Sequence, residues 1–268
     1  MGAYSDIELE HINKILDYYH VGSALSFEPT IEGISNSNFK VQLDNHKTVL
    51  LKISNDKTIE QLENEQTILS TLQQYNYKYS LAPLSTIKGL PIYQHENFYG
   101  VVFPYIEGLP PKIDNDVLVQ IGYALGELHS LEIRKEHLDN IRPHDLVGYG
   151  GVSISNYVTT SHCPADFKES FYQIFPDGLK DIPYELFPAG IIHGDLYFDN
   201  SLFNQGKLVT LIDFEQSGRG RFLLDLGIAI SGSCLSSERL HLDKTYIQSF
   251  LEGYEKSRKL LTLSLIHI

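Results

Sequence analysis

His193-Gly194-Asp195-Leu196-Tyr197-Phe198-Asp199-Asn200, followed further on by Asp213-Phe214-Glu215, is the stretch from which the fold of this 268-residue chain can be read. An Asp stands two residues after a His, an Asn follows five residues later, and a second Asp ends the apolar run from Leu208 to Ile212. An Asp so placed can take a proton from an attacking hydroxyl. The carbonyl oxygen of Asn200 and the carboxylate of Asp213 are hard donors of the kind magnesium prefers. Together these are the groups that phosphoryl transfer from ATP needs, because that reaction is mostly positioning plus charge stabilisation. A lone His-x-Asp often does no more than cap a turn; the Asn at this offset and the strand-borne Asp make the combination specific. Asp195 is therefore the expected catalytic base, His193 the catalytic-loop residue that braces it, and Asn200 and Asp213 the expected magnesium ligands.

Upstream, Phe39, Val41 and Leu43 alternate with Lys40 and Gln42, and Val49, Leu51 and Ile53 alternate again after the turn-forming Asp44-Asn45-His46-Lys47. This pattern predicts a β-hairpin with Lys52 on its second strand. A helix is expected from about Thr58 to Gln74. Lys52 is expected to contact the α- and β-phosphates and to pair with Glu65, which shares a helical register with Leu69 and Leu72; Glu63 is the competing partner. Gly33-Ile34-Ser35-Asn36-Ser37-Asn38 is neither G-x-G-x-x-G nor a Walker loop, so Ser35, Asn36 and Ser37 are expected to cover the phosphates with side chains and backbone amides, unless the segment is an ordinary polar turn.

An N-terminal helix is expected to start at the capping box Ser5-Asp6-Ile7-Glu8 and to end near His20. Short strands are expected at Leu90–Tyr93 and Tyr99–Phe103. Pro104-Tyr105-Ile106-Glu107-Gly108-Leu109-Pro110-Pro111 then breaks the pattern and marks a domain boundary. Helices are expected at 117–129, loosely around 166–175, and at 223–231 and 244–259, with a hairpin at 201–212. A small antiparallel sheet followed by a mainly helical half argues for an α+β fold of two lobes. The expected division is an N-lobe over residues 1–103, a hinge at 104–110 and a C-lobe over 111–268.

Apolar residues make up 42% and charged residues 21%, as in a soluble globular protein. A formal net charge of −13 disfavours nucleic acid and anionic membrane and suits a cationic or zwitterionic substrate, although it can also serve solubility alone. Cys163 and Cys234 form no zinc-like spacing and fit a reducing compartment. No signal peptide or long apolar run is visible, so a cytoplasmic location is expected.

Asp225, which is expected to brace the catalytic loop, follows Asp213 by only twelve positions. Protein kinases seat a peptide on a long segment after D-F-G that ends in A-P-E, and no such segment fits here. The expected partner is a small-molecule hydroxyl acceptor.

With Lys52, Glu65, His193, Asp195, Asn200 and Asp213 in this order, the chain resembles the aminoglycoside phosphotransferase and choline kinase superfamily, from about Gly33 to Thr262. Within it, Gly33 to Phe39, His193 to Asn200 and Gly253-Tyr254-Glu255-Lys256-Ser257-Arg258 are most similar to the type II homoserine kinases. The resemblance implies a protein-kinase-like fold, ATP and Mg2+ as cofactors, Asp195 as base, and Pro104 to Gly108, with Tyr105 and Glu107, beside adenine. It implies an amino acid or amino alcohol as acceptor, homoserine first, with aminoglycosides and choline as alternatives. Two departures stand out. Homoserine kinases usually carry an Asn and a Trp before a Cys, whereas Ile230-Ser231-Gly232-Ser233-Cys234 keeps only the Cys. They also continue through further helices, so the end at Leu263 to Ile268 reads as a truncated C-terminus. A nucleotide-binding protein without turnover, or a metal-dependent phosphoesterase built on His193, Asp195, Asp199 and Asp213, are the other classes to weigh.

Overall fold

Alternation along Phe39–Leu43 and Val49–Ile53 follows from burial of one face of each strand, and the computed structural model shows what covers it. The structure describes residues 6–30, 36–144, 151–177, 187–236 and 241–260. Strands β1 (Ala24–Pro29), β2 (Asn36–Leu43), β3 (Thr48–Ser54), β4 (Ile92–His95) and β5 (Phe98–Pro104) form one antiparallel sheet in the order β1-β2-β3-β5-β4. Val49, Leu51 and Ile53 pack with Ile12, Ile15 and Leu16 of helix α1 (Leu9–Asp17) on one side. Because side chains alternate along a strand, Lys52 projects from the opposite face of β3, with Asn38 and Val101 as its cross-strand neighbours. That face is covered by helix α2 (Ile59–Gln74). Thr58 caps α2: its Oγ1 accepts from the Gln61 amide at 3.2 Å, and its own amide donates to Gln61 Oε1 at 2.9 Å.

The rest of the chain is mainly helical: α3 (Asn115–His129), α4 (Lys135–Leu138), α5 (Gly151–Tyr157), α6 (Ala165–Ile174), α7 (Phe222–Ser233) and α8 (Lys244–Ser257). Two small antiparallel ribbons lie among them, β6 (Ala189–Ile192) with β9 (Gly218–Arg221) and β7 (Ser201–Asn204) with β8 (Lys207–Leu211). One apolar core runs from Leu62, Ile68 and Leu72 of α2 and Val101 of β5 through Ile121 and Leu125 of α3 to Phe250 and Tyr254 of α8. The α+β architecture read from the sequence is the one observed. Among the described residues, no helix is long and apolar enough to cross a membrane.

Several local expectations are corrected. The first helix begins at Leu9 and ends at Asp17, with Glu8 as its N-cap; the Glu8 amide bonds His11 Nδ1 at 3.4 Å. Ser5, the expected cap, lies outside the described residues, as does the segment from Leu263. The edge strand β1 is additional; only Ala24 is buried and Phe27 half-buried, with a register shift between Ala24 and Ser26, so its sequence does not alternate. The ribbon β6–β9 is likewise additional, because Gly218-Arg219-Gly220-Arg221 has no apolar signal and is a strand only through its partner.

Helices α3 and α8 approach to backbone contact. A Cβ on Gly122 would lie 2.0 Å from the Phe250 carbonyl oxygen, and one on Gly253 the same 2.0 Å from that of Val119. The crossing therefore depends on glycine on both sides. Gly122→Ala should lower stability by about 2–3 kcal/mol, read as a lower urea midpoint with an unchanged slope.

Candidate active site

The catalytic-loop stretch leaves β6 at Ile192 and is held from beneath. Asp225, fully buried on α7, accepts hydrogen bonds from the amides of His193 at 2.7 Å and Gly194 at 2.9 Å. His129, at the end of α3, lies 3.0 Å from the same carboxylate through Nε2 and 2.9 Å from the Tyr254 hydroxyl through Nδ1. Burial holds the His129 pKa below its ordinary value, so a neutral imidazole donates to Asp225 and accepts from Tyr254. Burial works against the charge on Asp225, but the His129 hydrogen bond and the imidazoles and amides around it keep its pKa below the usual carboxylate range. Gly194 has φ +81°, and a Cβ there would lie 2.4 Å from the Gln216 carbonyl oxygen, so the turn into Asp195 requires glycine.

His193 is fully buried. Its Nε2 is 3.0 Å from the Ile212 carbonyl oxygen, and its ring lies against Phe214 at 4.5 Å. Burial lowers its pKa, so this contact is an N–H donated to the segment that carries Asp213. The Ile212 amide in turn donates to the Asn200 carbonyl at 2.9 Å. Asn200 Nδ2 donates to the Asp195 carbonyl at 2.7 Å and lies 3.4 Å from Asp195 Oδ2, so a cation held by Asn200 would have to be held through its amide oxygen. His193, Asp195, Asn200 and the approach to Asp213 thus form one hydrogen-bonded unit. Partial burial raises the Asp195 pKa; the Asn200 hydrogen bond pulls it back, and the Asp199 and Glu215 charges add to the rise.

On the sheet side, Lys52 Nζ is 3.4 Å from Glu65 Oε1; Glu63 lies exposed on α2. Burial disfavours the Lys52 ammonium, yet Glu65, Glu215 and Asp213 outweigh it and raise its pKa. Two residues outside the sequence expectations join this cluster. Lys57 Nζ is 2.6 Å from Glu215 Oε2 and 3.5 Å from Glu65 Oε2, and Glu215 Oε2 is 3.7 Å from Lys52. Asp213, in the left-handed region at φ 65°, neighbours Glu215. Burial first and the Glu215 charge second push its pKa up to about 7, whereas the two lysines keep Glu215 low despite burial. The pair therefore holds one proton into the neutral range, mainly on Asp213.

The expected phosphate-covering segment is arranged differently. Ser35 lies outside the described residues. Asn36 and Ser37 belong to β2, paired with Ser54 and Ile53, because the hairpin continues beyond its apolar alternation. Asn36 Nδ2 donates to Glu215 Oε2 at 3.0 Å, and Ser37 Oγ accepts from Asn55 at 2.9 Å. These side chains serve the protein's own polar network. The Tyr105 amide donates to the Thr48 carbonyl at 3.2 Å, so it is committed to β3, and the Tyr105 ring lies 4.9 Å from Lys40 Nζ. Glu107 is exposed, with its carbonyl accepting from Asn204 at 3.3 Å. A depression of about 550 Å³ lined by His129, Pro188, Phe222 and Arg258 lies apart from Lys52, Asp195, Asn200 and Asp213. Glu215 was two residues from a recognised Asp. His129 and Lys57 gave no comparable signal in the sequence.

Residues 26–260 match the model of the phosphotransferase enzyme family. The chain is 23% identical over 272 residues to a homoserine kinase of Gluconobacter oxydans, covering 97% of this chain and 82% of that one. It is similar in structure to an amicoumacin kinase solved with AMP-PNP, Ca2+ and Ami, at a TM-score of 0.69, 16% identity, and coverage of 96% and 79%. A microcompartment-associated aminopropanol kinase aligns at a TM-score of 0.61 and 17% identity, with coverage of 96% and 83%.

Asp213 is ionised less readily in the fold than in the unfolded chain. Its charge therefore opposes folding, with a penalty that begins near pH 4 and is complete above about pH 7. Asn tolerates the left-handed conformation and carries no charge. Asp213→Asn should stabilise the ligand-free protein by about 1–2 kcal/mol at pH 8, after allowance for partial solvent screening, and by little at pH 4. Paired urea titrations of the two proteins at each pH check this.

Proposed function

Since the chain belongs to the phosphotransferase enzyme family, we propose that it transfers the γ-phosphate of ATP, with magnesium, to a hydroxyl of a small amino acid or amino alcohol. Homoserine is the first acceptor in this reading. The observation that carries it is the hydrogen-bonded unit of His193, Asp195, Asn200 and Ile212 leading into Asp213, with the Lys52–Glu65 pair on the sheet side.

In this reading Asp195 orients the acceptor hydroxyl and takes its proton as the bond to phosphorus forms. A carboxylate whose pKa lies above the usual range is a better acceptor for that proton. Lys52, held by Glu65, positions the phosphates. Magnesium fits the donor set, because the Asn200 amide nitrogen is already committed, which leaves its oxygen, and the Asp213 carboxyl, which holds a proton into the neutral range, would give that proton up to a cation beside it. Bound there, it would screen the phosphate charge during transfer. His193 positions the loop and Asp213 from beneath; its buried, neutral ring is not suited to proton transfer. Residues 1–103, 104–110 and 111–268 are taken as N-lobe, hinge and C-lobe, with Tyr105 and Glu107 reaching adenine through groups other than the Tyr105 amide.

Homoserine is supported by the homoserine kinase relative and by the aminopropanol kinase, which is named for an amino alcohol. The net charge of −13 suits any acceptor that carries an ammonium group, so choline and aminoglycosides remain the second choice. Coupled ADP detection over a panel of homoserine, amino alcohols and aminoglycosides should show acceptor-dependent turnover, greatest with homoserine. Turnover that stays at the no-acceptor rate throughout would remove the acceptor assignment. Asp195→Asn should lower kcat on the order of a thousandfold while nucleotide affinity stays within about threefold. Retention of activity in that variant would remove Asp195 from its role, and equal inactivity of both proteins would favour a binding protein.

A further inference from the structure

Three donors converge on one oxygen of Glu215. Asn36 Nδ2 lies 3.0 Å, Lys57 Nζ 2.6 Å and Lys52 Nζ 3.7 Å from Glu215 Oε2. With Glu65, which is 3.4 Å from Lys52 and 3.5 Å from Lys57, they make a closed ring of two cations and two carboxylates. The side chains are almost out of solvent, at 11% for Lys52, 12% for Lys57, 3% for Glu65 and 8% for Glu215. One Lys–Glu pair is enough to hold a strand lysine. A second buried pair adds little net stability, because desolvation offsets most of its attraction.

Lys57 is fixed through its backbone. Its carbonyl accepts a hydrogen bond from the Tyr99 hydroxyl of β5, and the next residue, Thr58, caps α2. Glu215, by contrast, sits on a single helical turn, Phe214–Gln216, that follows the left-handed Asp213. Two ammonium groups within ion-pair distance of one anionic oxygen on a short turn, with the Asn36 amide N–H donated to the same oxygen, have the form of an anion site filled by the chain itself.

We propose that Lys57 is a second phosphate-binding lysine of the nucleotide site, and that Glu215 occupies the phosphate position until a nucleotide displaces it. This rests on the ATP-dependent reading above and adds to it a residue outside the strand-lysine pattern. The triphosphate then meets Lys52 and Lys57 together, and the site favours nucleotides with more phosphate charge. Glu215 competes most strongly when no cation accompanies the nucleotide.

Calorimetric titrations of the full chain with ATP, ADP and adenosine, with and without magnesium, test this. Lys57→Met should weaken ATP and ADP binding on the order of tenfold and leave adenosine binding unchanged, since adenosine has no phosphate. Glu215→Gln should tighten metal-free ATP binding several-fold, and the double variant should lose that gain. If Lys57→Met does not fold, the Glu215→Gln result decides alone. Wild-type ATP affinity in Lys57→Met overturns the proposal, as does an equal loss of ATP and adenosine binding with a lowered melting temperature. Unchanged or weaker metal-free ATP binding in Glu215→Gln overturns it as well. Failure of the unaltered protein to bind any adenine nucleotide would instead overturn the functional reading itself. ATP binding and acceptor-dependent turnover in that protein, with no effect of Lys57→Met, would overturn this inference alone.

Discussion

The carboxylate of Asp225 is the interaction on which the rest depends. It is wholly out of solvent, so its charge survives only because its environment compensates it fully. Two consecutive loop amides and the His129 imidazole supply that compensation. Each partner comes from a different element: the amides follow β6, His129 ends α3, and Asp225 itself is on α7. Through His129 Nδ1 the same network reaches Tyr254 on α8. Phe222 stacks on the imidazole at 4.2 Å, and Arg258 lies over Phe222 at 4.6 Å. The loop that carries Asp195 is thus held through residues of three helices, α3, α7 and α8.

Above this buttress, the opposite logic holds. The cluster of Lys52, Lys57, Glu65, Glu215 and Asp213 carries three carboxylates against two ammonium groups in largely dry surroundings. Such an arrangement cannot be fully charged without a penalty, and Asp213 bears it by holding a proton into the neutral range. The charge of the buttress is compensated within the fold, while the cluster keeps one carboxylate more than it has ammonium groups. Support and reactivity are separated by only the few residues from His193 to Asn200.

Much of this was legible in the sequence where a chemical constraint fixes both residue type and spacing. The grouping of His193, Asp195, Asn200 and the approach to Asp213 was readable, because a His-x-Asp, an Asn five residues on and an Asp after an apolar run are brought into one hydrogen-bonded unit. Lys52 and its hairpin were readable because a half-buried strand alternates. What escaped reading was set by partners distant in sequence. His129 is one polar residue at the end of an apolar helix until Asp225, 96 positions on, is packed against it. Lys57 resembles any lysine before a helix cap until Glu215 folds back onto it. Asn36 and Ser37 looked like a loop because polar residues on a buried face carry no periodic signal, yet β2 runs through them. The ribbon β6–β9 was hidden for a similar reason, since Gly and Arg alternate there without an apolar face.

The reliance of the loop on Tyr254 also has a consequence for the order in which the molecule is completed. Tyr254 lies 125 residues beyond His129, and α8 must close against α3 by direct backbone contact at Gly122 and Gly253. Contacts of such long sequence separation form late, after the entropy of a large loop has been lost. During synthesis, everything from the Lys52 hairpin to Asp213 emerges before the residue that finishes the support of Asp195. A chain that has not reached Tyr254 therefore carries His193 to Asn200 without the residue that completes the network beneath them.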